Sequence, residues 1–501
     1  MKSINRTLYL ALWIGLLHPS ALLAAERFKS KMVERAKLAI VRIEKKASLK
    51  AYGDLDRKAS GTGCIVDKSQ GIVLTNGHIV DPVSISTYHL TFHNGQVAEA
   101  KLLYCDPWID YAFLKVVPEH VPKDATEIEF SSHVPKVSQD VFMIGNNEGK
   151  SFSMHTGTVS RIHEVGGAMA QQDIEISLNT AGGSSGSPVL DQRGQAVGLN
   201  YAGSTTFSRS VHPDYIRYAL NFIKKKSKPI RKHIGVTTAA YSLNDAARFR
   251  NFPRKRIEGY IRKFPTSHSN AIRVANVLPG SPAQGKLYVG DILWAINGKD
   301  IGPDLTVLDM AMNQTKASQV CLTICREGVW MDIEIPLYDL EDHTVKRMVN
   351  FGGALFFEAD DVWGNKTGVL PGTVTFSNAQ GSSTFSNVEH ITHDGGGMVM
   401  AIELLKMDNR SVGNLDQLIR MIPAFIQKRY FSMDYVSVFP YRDSLSPLFG
   451  YTFSKEETLK ADVEYDKNAP EPKIFIFNSE KMEWEGQQIS TQFKPQGGEA
   501  L

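Results

Sequence analysis

One glycine- and serine-rich stretch carries the strongest signal in this chain: Asn179-Thr180-Ala181-Gly182-Gly183-Ser184-Ser185-Gly186-Ser187-Pro188-Val189-Leu190. Small residues around a serine permit a tight turn that exposes its Oγ atom and directs successive backbone N–H groups into one space, as an oxyanion hole requires. Alone, such a loop is more typical of a flexible connection. The stretch therefore becomes a candidate nucleophile site only if the chain also supplies a base and an acid.

A histidine and an aspartate upstream supply these two groups. His78 follows the strand-like run 72–75, and Asp110 precedes the strand-like run 112–117. Taken singly, a histidine after a strand is usually a surface or core residue, and an aspartate before a strand is usually a turn former. In the order His, Asp, Ser within one β-rich region, however, they match the chain order of the chymotrypsin-type triad.

The pattern of short strands separated by turn residues extends over roughly residues 35–222, which favours antiparallel barrels or a sandwich. A helix is predicted over Tyr215–Lys226, followed by a basic run over residues 224–232. That run could contact nucleic acid, but we interpret it as a solvated linker. Two later segments, about 272–312 and 368–422, each combine strands with a helical pattern and indicate two copies of one module.

Length and composition exclude several classes of protein. The 501 residues imply about three or four domains, and a 42% hydrophobic, 22% charged composition is that of an ordinary globular chain. With 56 Lys and Arg against 53 Asp and Glu, no strong field favours nucleic acid or an anionic membrane. Only four cysteines occur, and no metal-ligand spacing accompanies Cys321 and Cys325. We therefore expect no disulfide framework and no metal site.

Several motifs together resemble one family. Residues 75–80, 110–116 and 183–188 resemble the His, Asp and Ser motifs of the HtrA/Deg serine proteases, and residues 290–298, Gly-Asp-Ile-Leu-Trp-Ala-Ile-Asn-Gly, resemble the PDZ signature of that family. The resemblance covers roughly residues 35–445. Within the family, residues 182–188 and the second module look closest to the fungal nuclear HtrA-like proteases. Those proteins are longer, so this chain resembles one half of such a protein.

The serine motif departs from the usual family pattern. Most HtrA proteins carry Asn before the nucleophile and two Gly after it, whereas this chain has Ser184 before Ser185 and Gly186-Ser187 after it. Ser184 is therefore an alternative in principle. Alignment of Gly-x-Ser-Gly favours Ser185, and Ser187 would lack a following glycine.

These assignments give each residue a role. Ser185 Oγ should attack the peptide carbonyl, His78 should take its proton and return it to the leaving amine, and Asp110 should orient His78. The N–H groups of Gly183 and Ser185 should receive the developing oxyanion. No metal or organic cofactor is needed.

The resemblance also implies two binding segments. Substrate should add as a strand beside Asn200-Tyr201-Ala202, with its primary pocket between that segment and residues 179–182. In the first PDZ module, His233-Ile234-Gly235-Val236 should offer backbone N–H groups to a peptide C-terminal carboxylate. Each segment could equally be plain strand, loop or interdomain junction.

The predicted fold class is mainly β: a chymotrypsin-like double β-barrel protease domain followed by two α+β PDZ-like domains. Because a Lys-rich linker should bury little, we expect a chain ending at Lys226 to fold alone. The predicted segments are a signal peptide (1–25), the protease domain (26–222), the basic linker (223–232), a PDZ domain (233–340), a PDZ-like domain (341–445) and a C-terminal extension without assigned role (446–501).

The first 25 residues have the pattern of a secretory signal. Lys2 and Arg6 precede an apolar run over residues 8–17, and small residues end at Ala24-Ala25. A run of ten apolar residues is too short to span a bilayer, which takes roughly 18 or more. We expect a periplasmic or secreted protein with no stable membrane anchor after cleavage.

The expected function is therefore an exported serine endopeptidase that hydrolyses misfolded or unfolded proteins in protein quality control. Its PDZ modules should bind peptide C-termini, and the resemblance implies a homotrimer. The alternative is a non-catalytic PDZ scaffold or chaperone, against which the presence of all three triad residue types argues. A secreted factor acting on a host or neighbouring cell would share the same chemistry.

Overall fold

Two closed antiparallel barrels form the first half of the chain in the computed structural model. The residues described are 30–50, 58–166, 170–361, 364–365, 369–377, 383–385, 401–442, 451–455 and 458–489, so the expected signal peptide lies outside them. None of the helices described has both the length and the apolar character needed to cross a bilayer.

The first barrel has the strand order β1-β2-β3-β6-β5-β4. Alternation of side chains between core and solvent is clear along β5, as expected for a strand with one buried face. The strands are β1 (Ile40–Lys50), β2 (Lys58–Asp67), β3 (Ile72–Thr75), β4 (Ser84–Thr91), β5 (Val97–Cys105) and β6 (Ala112–Val116).

The second barrel has the order β10-β11-β12-β9-β8-β7. Its strands are β7 (Asp140–Gly145), β8 (Ser153–Gly166), β9 (Gln171–Ser177), β10 (Pro188–Leu190), β11 (Ala196–Gly203) and β12 (Ser208–Val211). In the described part of this region, three α-helices accompany the two barrels: α1 (Ser30–Lys37), α2 (Gly77–Val80) and α3 (Pro213–Ile223). The helix that the sequence predicts from Tyr215 is α3, which begins at Pro213 because proline suits a first helical turn and His212 caps it.

The third unit is a sheet of order β14-β15-β16-β18-β19 with a helix packed on it. Leu305, Leu308 and Met312 bury the face that their spacing predicted. Its elements are β13 (Lys232–His233), β14 (Val236–Ser242), α4 (Leu243–Phe249), α5 (Lys255–Lys263), β15 (Asn270–Val277), β16 (Ile292–Ile296), β17 (Lys299–Asp300), α6 (Leu305–Gln314), β18 (Gln319–Arg326), β19 (Val329–Pro336) and β20 (Tyr338–Asp339).

The fourth unit is a larger sheet of order β27-β26-β24-β23-β22-β21-β29-β30, with Leu415, Leu418 and Ile422 of its helix buried against it. Its elements are β21 (Arg347–Phe351), β22 (Ala354–Glu358), β23 (Val374–Ser377), β24 (Ala401–Met407), β25 (Arg410–Ser411), α7 (Leu415–Phe425), β26 (Tyr430–Arg442), β27 (Tyr451–Lys455), β28 (Leu459–Glu464), β29 (Lys473–Asn478) and β30 (Glu483–Gln488). The predicted fold class is confirmed.

The boundary drawn at residue 445 does not separate two units. β29 pairs with β21, with Val349 opposite Ile474, and β28 pairs with β26. The strands after residue 445 therefore complete the sheet of the fourth unit. Sequence spacing could not show this, because β21 and β29 are far apart along the chain.

The basic run is only partly a solvated linker. Lys224 to Lys228 are exposed, but Arg231 is buried and its Nε atom lies 2.8 Å from Oδ2 of Asp106, which is also buried. The core of the two barrels also continues into the third unit through Leu278 and Leu340. A chain ending at Lys226 would lose these contacts, which argues against independent folding, and the expectation that it folds alone stays a prediction.

Candidate active site

The pairing of β3 with β6 brings the base and the acid together. Thr75, at the end of β3, lies opposite Ala112, at the start of β6. His78 follows β3 by three residues, on the single-turn helix α2, and Asp110 precedes β6 by two. Neighbouring antiparallel strands therefore place both side chains at the same end of the first barrel.

The carboxylate of Asp110 binds His78 through both oxygens. Oδ2 lies 2.7 Å from His78 Nδ1, and Oδ1 accepts the His78 backbone N–H at 2.9 Å. A Cβ atom on Gly77 would lie 3.2 Å from Oδ1, so a glycine there gives the carboxylate room. The side chain of Asn76 donates to the Asp110 carbonyl at 2.8 Å. Nδ1 is thereby fixed, and Nε2 becomes the nitrogen for proton transfer with substrate-side groups.

The three serines of the loop differ in their surroundings. Ser184 is buried and its Oγ donates to the Ala181 carbonyl at 2.7 Å. Ser187 is fully buried against Gly145. Ser185 is partly exposed, and its Oγ donates to the carbonyl of Tyr201 at 3.4 Å. Of these serines, Ser185 is the one that solvent reaches most readily, which agrees with its choice as nucleophile.

Thr62, on β2 of the first barrel, binds the serine loop of the second barrel through two hydrogen bonds. Its N–H donates to the Ser185 carbonyl at 2.8 Å, and its Oγ1 donates to the Gly183 carbonyl at 2.8 Å. Gly186 has a φ of +84°, and a Cβ atom there would lie 1.9 Å from the Thr62 carbonyl oxygen. Sequence reasoning missed Thr62, whose only signal was a pair of flanking glycines in a strand.

Gly61, next to Thr62, shows how close the two halves of the site are. A Cβ atom at this position would lie 2.7 Å from the side chain of Ile79 and 3.3 Å from the carbonyl of Ser185. Ile79 adjoins His78 on α2. The serine loop and the histidine helix therefore approach each other at this glycine, where a side chain would displace Ile79.

The predicted oxyanion donors are Gly183 and Ser185. Gly183 has a φ of +93°, and a Cβ atom would lie 2.3 Å from the Asn146 carbonyl oxygen. The amides of Ser184 and Gly186 donate to the carbonyls of Ala181 and Asn200. Among the described residues, no backbone carbonyl accepts from the amides of Gly183 or Ser185. Both predicted donors therefore remain for a ligand oxygen.

The predicted substrate segment has two functions in the structure. The Asn200 side chain donates to the Ser184 carbonyl at 3.0 Å, so this residue supports the serine loop. The Tyr201 carbonyl faces Ser185, while Ala202 pairs with Arg209 of β12. Addition of a substrate strand at this edge stays a prediction.

The predicted carboxylate loop packs against the protease domain. The Gly235 amide donates to Nδ1 of His233 at 3.0 Å, and the His233 ring centroid lies 4.0 Å from that of Trp108. Burial lowers the pKa of His233 to about 3, so its imidazole is neutral and can accept this bond. Ile234 and Val236 are also buried. Carboxylate binding stays a prediction, and in this structure the Gly235 amide is already bonded.

Within the ranges described, no three His, Cys, Asp or Glu side chains are grouped so as to hold a metal ion. The four cysteines are present as free thiols, three of them buried.

Two protein-family models match the chain. A trypsin-like peptidase domain matches residues 61–199, a range that includes His78, Asp110 and Ser185, and a PDZ domain matches residues 227–325. With the two barrels, these matches define a trypsin-like serine protease domain joined to a PDZ domain. The peptidase match agrees with the predicted enzyme class.

The curated relatives are fungal HtrA-like proteases, which confirms the resemblance read from the motifs. The chain is 30% identical over 309 residues to the "Pro-apoptotic serine protease NMA111" of Scheffersomyces stipitis, covering 60% of this chain and 31% of that protein. It is 28% identical over 390 residues to the protein of that name from Saccharomyces cerevisiae, covering 75% and 38%. The chain thus spans about a third of the length of the curated relatives it matches.

Two solved protease structures resemble part of this chain. The serine endoprotease from Yersinia pestis is 20% identical, with a TM-score of 0.40 over 62% of this chain and 96% of that one. The HtrA-type protease AlgW with tripeptide is 18% identical, with a TM-score of 0.46 over the same shares.

Proposed function

We propose that this protein is a serine endopeptidase whose nucleophile is Ser185, whose general base is His78 and whose orienting acid is Asp110. The observation that carries the proposal is the two-point attachment of His78 to Asp110, at 2.7 and 2.9 Å, beside a loop in which Ser185 is the partly exposed serine. Such an arrangement matches the template of triad catalysis in role and in chain order.

The proposed reaction follows from these contacts. His78 takes the Ser185 proton on Nε2, because Nδ1 is held by Asp110, and the resulting imidazolium is stabilised by the carboxylate. The bond from Oγ to the substrate carbonyl places negative charge on the carbonyl oxygen, which the amides of Gly183 and Ser185 receive. His78 then returns the proton to the leaving amine, and water releases the acyl group by the same steps.

The contact between Ser185 and Tyr201 suggests how substrate would start the reaction. In the structure the Ser185 hydroxyl donates to the Tyr201 carbonyl at 3.4 Å. A substrate strand lying along β11 would present its own N–H to that carbonyl. The hydroxyl, displaced from this acceptor, would then turn to His78.

The test compares two neighbouring serines in the full chain. Ser185→Ala should abolish labelling by a fluorophosphonate probe and cleavage of denatured casein, because covalent catalysis needs the nucleophile. Ser184→Ala should keep both activities. If labelling survives Ser185→Ala, the nucleophile is wrong. If the wild-type protein never labels, the non-catalytic scaffold gains support.

The finer parts of the proposal concern substrate, partners and destination. We assign unfolded or misfolded proteins as substrates, peptide C-termini as PDZ ligands, and a homotrimer as the assembly, on the basis of the family resemblance. Export to the periplasm or to the medium is supported by the charged, apolar and small-residue order of residues 1–25. Mass determination of the protein recovered outside the cytoplasm should show a chain beginning at Glu26. A full-length chain retained in the cytoplasm would overturn the proposed export.

A further inference from the structure

Three buried polar side chains outside the triad link Asp110 to β11, the strand whose Tyr201 carbonyl contacts Ser185. Gln171 and Asp173 are on β9, and Tyr201 is on β11. The Asp110 backbone N–H donates to Gln171 Oε1 at 3.0 Å, and Gln171 Nε2 donates to Asp173 Oδ1 at 3.0 Å. The Tyr201 hydroxyl donates to Asp173 Oδ2 at 2.5 Å. The Asp173 carboxylate thus links β9 to β11 and, through Gln171, contacts the segment that carries Asp110.

The same tyrosine reaches the nucleophile at its other end. Its backbone carbonyl accepts the Ser185 hydroxyl at 3.4 Å while its side chain binds Asp173. A continuous series of four hydrogen bonds therefore runs from the Asp110 amide, through Gln171, Asp173 and Tyr201, to Ser185 Oγ. We call this series the buttress.

Charged side chains surround Asp173 within the buttress. Arg209 on β12 lies 3.5 Å from Asp173, and it also lies within 3.8 Å of Glu164 and 3.7 Å of Glu175. Burial raises the pKa of Asp173 to about 7, against the opposing effect of the Tyr201 hydroxyl and Arg209. When Asp173 is ionised, Oδ1 accepts from Gln171 and Oδ2 accepts from Tyr201.

The backbone of β8 also packs closely against Asp173. A Cβ atom on Gly166 would lie 2.0 Å from Asp173 Oδ2 and 2.9 Å from the Tyr201 hydroxyl. The backbone of β8 therefore leaves the Asp173 and Tyr201 side chains little room to move. Buried groups held in this way orient what they bind, since any alternative position leaves a polar atom without a partner.

Building on the proposed function, we propose that Asp173 is a positioning residue that, through Gln171 and Tyr201, fixes the Asp110 segment relative to Ser185. The side chains of Gln171, Asp173 and Tyr201 contribute no atom to the reaction. It sets the distance and angle between two halves of the triad that come from different barrels. A displacement of about 1 Å between reacting groups can cost on the order of 100-fold in rate.

The direction of each hydrogen bond allows a sharp test. Asp173→Asn leaves one acceptor oxygen for two donors, so its NH2 group must face either Gln171 or Tyr201, and Gln171→Glu places a carboxylate against a carboxylate, so each single change weakens the buttress. The double variant Gln171→Glu/Asp173→Asn reverses that one bond. The new carboxylate at position 171 would accept from the Asp110 amide and from the new amide at position 173, whose oxygen would accept from Tyr201. Charge and hydrogen bonds are then both retained.

The measurement is the rate of fluorophosphonate labelling of the full chain at several probe concentrations, which separates the limiting rate from the apparent affinity. Each single variant should lower the limiting rate about 10- to 100-fold with the affinity for the probe changed less than about 2-fold. The double variant should return to within about 3-fold of wild type. A purely structural role would lower thermal stability without this selective loss and rescue.

Tyr201→Phe is the milder second variant, since it keeps the ring and the backbone carbonyl and removes only the hydroxyl. Its matched control is Tyr260→Phe, which removes a hydroxyl donating to the Asn270 carbonyl at 2.8 Å in the third unit and should label like wild type. If Tyr201→Phe labels at the wild-type limiting rate, or if the folded double variant fails to recover, the positioning role is overturned. A wild-type protein that never labels would instead overturn the proposed function.

Discussion

Two regions pack against the protease domain in opposite ways. The third unit does so through buried polar groups: Arg231 beside Asp106, and the Tyr215 hydroxyl donating to Asp309 Oδ2 at 2.5 Å. The fourth unit does so through a buried apolar cluster that joins Leu49 and Val83 to Met348 and Phe357, and its β29–β30 hairpin adds an exposed pair, Lys101 with Glu483 at 2.6 Å. The Arg231–Asp106 pair is removed from water, whereas the Lys101–Glu483 pair is exposed to it.

The two ion pairs differ in what the loss of one partner would cost. An exposed ion pair contributes little because water screens it and both side chains lose freedom. A buried pair contributes little as a whole, yet the loss of one partner leaves an uncompensated charge in the core. The third unit is therefore part of the protease fold in energetic terms, although its sequence is that of a separate module.

The largest effect is expected from Arg231→Ala. Asp106 would keep its bonds from the Trp108 and Ile109 amides, at 2.9 and 2.8 Å, but would lose the cation that balances its charge. We expect the free energy of unfolding of the full chain to fall by about 3 kcal/mol or more, as measured by denaturant titration. Lys225→Ala, at an exposed position of the same basic run, is the control and should change little. Equal stability of the two variants would contradict the distinction between the interfaces.

A smaller, pH-dependent effect is expected at Asp309. Burial raises the pKa of this carboxyl group to about 6 from an ordinary value of 3.8. Between these values the folded protein binds a proton that the unfolded chain has released, so this contribution to stability is complete below about pH 4 and is lost as the pH rises through 6.

Asp309→Asn removes this titration. The free energy of unfolding of the variant minus that of wild type should therefore increase from pH 4 to 7, by at most about 1.4 kcal/mol per pH unit. Denaturant titrations at pH 4.5, 5.5 and 6.5 measure it, with Glu258→Gln as the control because Glu258 is exposed. A difference that stays constant with pH would show that Asp309 does not titrate in the interface as described.

The smallest effects belong to the hairpin. Trp484 Nε1 donates to the Pro82 carbonyl at 3.0 Å, just beyond the helix that carries His78. Trp484→Phe should lower the free energy of unfolding by about 1 kcal/mol, the usual value of one such bond. Lys101→Ala is the paired change and should have no measurable effect, because that ion pair is exposed. A larger loss from Lys101→Ala than from Trp484→Phe would reverse the order proposed for this contact.

The sequence by itself determined the chemistry and the local structure around it. Asp110, His78 and the serine loop could be found because each lies next to a strand or turn signal, and their order along the chain limits the possible mechanisms. The buried face of α7, with Leu415, Leu418 and Ile422, was likewise predicted, since helical spacing is a local property. Local patterns favoured Ser185 and left Ser184 as an alternative in principle.

Only the tertiary structure decided which polar residues are buried and what they bind. Thr62 meets Gly183 across 121 residues, and Gln171 meets Asp110 across 61, so no short motif records either contact. Arg231 stands in a run of lysines that charge patterning assigns to solvent, but the fold buries it against Asp106. The physical reason is that burial and hydrogen bonding depend on which distant segments the folded chain brings together, and a local pattern of charge or hydrophobicity does not contain that information.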